Sequence, residues 1–448
     1  MNVTETTAQH TYGTWRVQKG WKPLHVAKAE GCYFWDAGGK RYLDLSSQLM
    51  CSNLGHQNQA VVDAICEQAR KLAFISPAFT CDVRAEASLK LLEVMPRGLD
   101  KFFFTTSGTE ANEAAIKIAR AYTGKHKVIA RYTSYHGSTA GSIACTGDLR
   151  RWYVEPTSGK IPGVVFGPEC NCYRCPLGRS YPDCGIACAD YLEYMITHDE
   201  NVAAVILEPI VGTNGILVPP KEYLPRLADI CKRQGVLLIA DEVMSGWGRT
   251  GSWFAVEHWG VTPDILVTAK GITSAMAPLG VCATSREIAN HFDEHMFAHG
   301  HTYEAHPLTL APAIAAIDEY RRLGLLERAC TMGEKLGARL RGLADKHPSI
   351  GDVRGMGLFW AIELVRDRKT KEPLAVPKDK YLAALPAATA RKPMTIDQVT
   401  ADLMARGVFC MGWVSHLVIA PPLIIDDAQL DEAIDALDGS LAIADRAI

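Results

Sequence analysis

The sequence has no long hydrophobic run. None of its apolar stretches reaches the roughly 18 residues that a membrane-spanning helix needs, so nothing in it predicts a helical span. It also lacks an excess of either charge. Lys+Arg number 47 against Asp+Glu 50, spread along the chain for a formal charge of -3, which leaves neither a basic stripe for nucleic acid nor a polybasic tail for a membrane surface. The opening stretch, "MNVTETTAQHTYGTWRVQKG", lacks the basic-then-apolar order of an export signal, and the expectation is a cytoplasmic protein. Internal repeats and long low-complexity tracts are missing too. What these absences leave is small-molecule chemistry.

What is present is ordinary globular material: 448 residues, 48% hydrophobic and 22% charged, enough for a large core and more than one domain. The 14 cysteines, in a chain of this length without an export signal, are expected to be thiols. Between about residues 100 and 285, β-rich runs alternate with helical patterns. "KFFFTT" (101–106) precedes "EANEAAIKIARAYTG", whose Ala111, Ala115, Ile118 and Ala119 fall at helical spacing with Gly124 as a stop. "KVIARY" (127–132), "VAAVILEPI" (202–210), "GVLLIADEV" (235–243) and "DILVTAK" (264–270) are continuous apolar strands of the kind buried on both faces. The pattern predicts an α/β fold: a large domain with a mostly parallel sheet (56–320) and a smaller C-terminal α/β domain (321–448), with an N-terminal arm (1–55) carrying a hairpin-like "GCYFWDAGGKRYLDL".

In such sheets ligands gather at the carboxyl ends of the strands, so the strand-end residues belong together. "TTSGTEAN" places Ser107, Gly108 and Thr109 at a turn that opens a helix, an anion cradle of free N–H groups, or else an ordinary N-cap with Glu110 in the first turn. "RYTSYHGS" brings Tyr135 and His136 beside a glycine, a ring able to stack on a planar ligand or a half-buried surface turn. Glu208 and Asp241 end greasy strands, where an isolated charge is costly and calls for a partner. Lys270 ends another, and burial there favours a neutral, nucleophilic amine. An Asp241–Lys270 ion pair without chemistry, or a lysine snorkelling to water, would explain these two alone. Together, an anion cradle, a stacking ring, an acid for a pyridinium proton and an imine-forming amine are the parts that pyridoxal 5'-phosphate requires.

From about residue 20 onward the sequence resembles the class III pyridoxal-phosphate aminotransferases, of the fold type I group. The motifs that carry the resemblance are "TSGTEANEAAIKIAR", "YHG", "ILEPI", "VLLIADEVMSGWGRTG", "DILVTAKG", "HTYEAHPL" and "APPLII". It implies that Lys270 bonds covalently to the cofactor, Asp241 holds the pyridine nitrogen, Val243 packs on the ring face opposite Tyr135, and Gly108 and Thr109 hold the phosphate. It further implies a homodimer in which Thr302 reaches the phosphate of the neighbouring subunit's cofactor. "SSQLMCSNLGH", "RRWYVEP" and "CYRCPLG" are similar to a subgroup that uses taurine and other ω-amino donors with 2-oxoglutarate or pyruvate as acceptor. The implied activity is a ping-pong transamination between an amine donor and a 2-oxo acid. A mutase or decarboxylase on the same fold, or a pyridoxal-binding protein without turnover, are the rival readings.

Two departures bear on substrate. Where many members place an arginine before "APPL" to clamp the acceptor's carboxylate, "FCMGWVSHLVIAPPL" has Met411, and where some have a gating glutamate five residues beyond Glu208 this chain has Thr213. Both halves of that ion pair are missing together, which avoids a lone charge in a closing pocket. Trp247, Trp413, Leu49 and Met50 are candidates for the pocket wall or for plain packing. Finally, "CNCYRCPLGRSYPDCGIAC" crowds Cys170, Cys172, Cys175, Cys184 and Cys188 together; the spacing lacks two clean CxxC pairs, so a loop of free thiols is expected rather than a zinc site.

Overall fold

The computed structural model describes residues 1–159, 161–375 and 394–448. Residues 376–393, part of a charged, proline-bearing stretch near 366–396 of the sequence, lie outside the described residues. Strands β1 (Val26–Glu30), β2 (Tyr33–Asp36) and β3 (Arg41–Asp44) form an antiparallel meander near the N-terminus. The seven strands of the main sheet follow: β4 (Leu99–Thr105), β5 (Lys127–Arg131), β6 (Val164–Gly167), β7 (Val202–Leu207), β8 (Leu237–Asp241), β9 (Ile265–Thr268) and β10 (Gly280–Ser285). Among the described residues six more follow: β11 (Ile350–Met356), β12 (Phe359–Asp367), β13 (Glu372–Pro373), β14 (Val408–Phe409), β15 (Met411–Trp413) and β16 (His416–Ile419).

The main sheet runs β4-β10-β9-β8-β7-β5-β6. Only β10 is antiparallel to its neighbours, pairing Gly280 with Thr105 on one side and Val281 with Thr268 on the other. The sheet is thus mostly parallel, as expected. All residues of β7, β8 and β9 are buried, which is why those strands read as unbroken apolar runs. The helix Gly108–Thr123 lays Ala111, Ala114, Ala115, Ile118 and Ala119 on the sheet over Val128, Ala204, Ile239 and Val267. Gly124, at φ +67°, ends it in the left-handed conformation that glycine adopts without a Cβ clash.

Among the described residues there are two smaller sheets. β3 pairs in parallel with β14, joining residues near 43 to residues near 408, and β11-β12-β16-β15 form an antiparallel sheet that β13 extends at β12. No helix among the described residues is long and apolar enough to cross a membrane.

Candidate active site

Because β4, β5, β7, β8 and β9 point the same way, their carboxyl ends share one rim, and β10 starts there. A cavity of about 480 Å³ opens at this rim. Ser107, Gly108, Thr109, Tyr135, His136, Glu208, Asp241, Val243 and Lys270 all line it, so the structure brings together nine residues that the sequence scatters over more than 160 positions. Thr302 is the exception. It is exposed, in the turn before the helix Pro307–Arg322, and does not line the cavity.

Ser107 has the N-cap role that the sequence offered. Its hydroxyl accepts the Glu110 N–H as an N-cap, which leaves the N–H groups of Gly108 and Thr109 at a helix start with no intrahelical partner. Gly108 has to be glycine, since a Cβ there would stand 2.8 Å from Val243 Cγ2. Gly137 is equally constrained by Thr109, whose Oγ1 would lie 2.1 Å from an added Cβ and instead accepts the N–H groups of Ser138 and Thr139.

Asp241 is oriented by three donors. Asn112 Nδ2 and His136 Nδ1 each donate to Oδ2 at 2.8 Å, and the Val243 N–H donates to Oδ1 at 3.1 Å. Lys270 lies on the same cavity at φ +53°, unusual for a side chain with a Cβ, and burial holds its amine below the ordinary lysine range against the smaller opposing pull of Cys51, Asp241 and Glu208. Among the described residues no hydrogen bond or ion pair joins Lys270 to Asp241, so the simple ion-pair reading fails. Glu208 accepts the Tyr135 and Gly212 N–H groups, and burial pushes its carboxyl up.

These residues fit pyridoxal phosphate on their own terms. A cradle that excludes a Cβ faces free N–H groups, an oriented acid and an amine share one cavity without pairing, and buried polar atoms, His136 Nε2 and Asn112 Oδ1, lack partners among the described residues.

The comparisons with known proteins agree. A family model described as aminotransferase class-III matches residues 16–441. The chain belongs to that family. It is a pyridoxal-phosphate-dependent aminotransferase of fold type I. A taurine–pyruvate aminotransferase from Bilophila wadsworthia is 33% identical over 444 residues, 96% of this chain and 94% of that one. A leucine/methionine racemase from Thermococcus litoralis is 35% identical over 425 residues, 94% and 91% of the two chains. A solved taurine:2-oxoglutarate aminotransferase from Bifidobacterium kashiwanohense, in complex with pyridoxal phosphate and glutamate, superposes with a TM-score of 0.91 at 35% identity, covering 99% of this chain and 98% of that one.

The wall of this aminotransferase's cavity differs in part from the expected one. Leu49 lines it, as do Cys51 and Met244, but Trp247 is fully buried in the core, donating its indole N–H to Thr268 and packing on Phe254 and Trp253. Met50 is likewise core. Trp413 does not line the cavity either; between its ring and that of the lining residue Tyr135 sits a residue that sequence reasoning did not single out, Arg150, which is also outside the lining. Its guanidinium carbon is 4.1 Å from the Tyr135 ring centre and 4.0 Å from that of Trp413, with Trp15 at 5.4 Å. Arg150 is 6% exposed, pairs with Asp148, and has an Nε without a partner among the described residues. Asn112 was missed as well. At the two substituted positions the structure is neutral: Thr213 donates to Met244 Sδ at 3.5 Å, and Met411 lies in β15.

Proposed function

We propose that this aminotransferase takes its amino group from an ω-amino donor with an acidic tail, taurine or a β-alanine- or 4-aminobutyrate-like compound. It passes that group to a 2-oxo acid, 2-oxoglutarate or pyruvate, in ping-pong fashion. The observation that carries this reading is Arg150. It is not itself among the lining residues but packs directly behind Tyr135, which is, with its guanidinium carbon 4.1 Å from the Tyr135 ring centre and 4.0 Å from that of Trp413, and its Nε has no partner among the described residues. A guanidinium held in this way suits a sulfonate or carboxylate, and it compensates for the arginine that Met411 replaces. The shared acid group of donor and acceptor would use the same residue in both halves of the reaction. The similarity to taurine aminotransferases supports the same reading.

When bound, the cofactor supplies an electron sink for charge developing on the substrate carbon. Gly108 and Thr109 N–H groups and the helix dipole would bind its phosphate. Tyr135 and Val243 would hold its ring between them. Asp241, steadied by Asn112 and His136, would keep a proton on the pyridine nitrogen. The Lys270 amine, whose proton affinity burial lowers, would be the nucleophile that holds the cofactor and the base that takes the proton from the carbon bearing the substrate's amino group. The exposed Thr302 completes the phosphate site of a second subunit in a homodimer.

The test is two half-reactions run separately. Taurine alone should bleach the absorbance of the yellow protein, and pyruvate or 2-oxoglutarate should restore it. Racemase, mutase or decarboxylase chemistry would turn over a single substrate without a 2-oxo acid, and a protein that only binds the cofactor would do neither.

A further inference from the structure

The crowded cysteines lie away from the cavity and take no part in the reaction above. They converge on a second, small cavity of about 20 Å³ that Cys170, Cys172, Cys175, Cys184 and Cys188 all line, a space about the size of a water or peroxide molecule. Buried Cys170 shares this cavity with Cys172, two residues along the chain, and with Cys188, in the first turn of the helix Ala187–His198. Cys172 is exposed. The backbone between them and the rest of the fold is pinned: Lys371 donates to the Tyr173 carbonyl at 2.8 Å, and Arg174 donates to the Lys371 carbonyl and pairs with the buried Glu363.

We propose that this segment is a peroxide-reactive thiol site, in which Cys172 is oxidised first and Cys170 closes a disulfide onto it. The Cys172 thiolate attacks hydrogen peroxide, the O–O bond breaks, and the departing hydroxide takes a proton to leave as water. The Cys170 sulfur then displaces the hydroxyl from the Cys172 sulfenic acid, and its thiol proton leaves with that hydroxyl as a second water. Two thiols are oxidised and one peroxide is reduced. The direction of the thiol acidities agrees: the neighbouring Cys170 draws the exposed Cys172 thiol down, whereas Cys170, beside two other thiols and buried, is pushed up.

The experiment treats the reduced holoenzyme with hydrogen peroxide and maps its cysteines by mass spectrometry. The tryptic peptide 161–174, which carries both residues, should become lighter by two hydrogens and return on reduction. Cys172 in the untreated protein should alkylate at least about fivefold faster at pH 7 than the exposed Cys66 and Cys330. In Cys170→Ser, peroxide should leave Cys172 as a sulfenic acid that a 1,3-dione traps; if that variant does not fold, Cys172→Ser should leave the peptide mass unmoved by peroxide. The proposal is overturned if Cys172 reacts no faster than Cys66 and Cys330. It is equally overturned if Cys170 is found bridged to another cysteine instead, or if the purified protein holds stoichiometric zinc that shields the cluster.

Discussion

Replacing Arg150 by methionine while also replacing Asp148 by asparagine probes the acid-binding reading without leaving a buried charge unpaired. Methionine keeps the unbranched bulk between Tyr135 and Trp413, and asparagine keeps an acceptor at a position where burial already pushes the Asp148 carboxyl up despite Arg150. What disappears is a charge-assisted hydrogen bond to the substrate's acidic tail, a contact worth roughly 1.5–3 kcal/mol. At about 1.36 kcal/mol per factor of ten, the second-order rate constant for bleaching by taurine should fall roughly 10- to 150-fold. Bleaching by propylamine, which has no acid group, should change by less than about twofold, because no contact of that strength is lost. Stopped-flow measurement of the donor half-reaction alone makes the comparison, free of the acceptor step. Equal losses on both donors would refute the reasoning, since Arg150 would then be holding the wall together rather than the substrate, and so would an unchanged rate with taurine.

Lys270→Ala should abolish turnover while leaving circular dichroism unchanged, and full activity in that variant would remove the assignment. Asp241→Asn should fold and slow the donor half-reaction by at least about 10²-fold, read by the same stopped-flow assay, because the pyridine nitrogen no longer keeps its proton. Gly108→Ala should release the cofactor on dialysis where the parent retains it, since the new Cβ would press on Val243 at 2.8 Å. Glu242 makes a pH prediction: burial pushes its carboxyl up from 4.5 to about 7, with Ser245 and Val256 only partly opposing. The folded state then binds the extra proton between these values, so stability falls as pH rises from about 4.5 to about 7, by roughly 3 kcal/mol at most, and is level above. Urea unfolding at pH 5 and pH 8 should show the decline in the parent and not in Glu242→Gln.

The parts of the fold that were legible in the sequence are the parts where one local signal has one cause. β7, β8 and β9 are buried on both faces and read as strands for that reason. β10, "GVCATS", follows a proline and a glycine-bearing loop, and its small residues gave no strand signal although they fill the narrow gap between β4 and β9. β6 is a four-residue edge strand, half-buried, too short for periodicity to register. At the site, Asp241 and Lys270 stood out because a charge at the end of an apolar strand is expensive. Arg150 did not, because its meaning lies in contacts with Tyr135 and Trp413 that only the folded chain makes, and Trp247, conspicuous beside the motif, proved to be core.

The central claim is that the Lys270 amine carries the cofactor. Borohydride reduction of the yellow holoenzyme, followed by peptide mapping, tests it most directly. The account predicts one pyridoxyl-modified lysine per chain, at position 270; a modified lysine elsewhere, or cofactor released with no lysine modified, would contradict it.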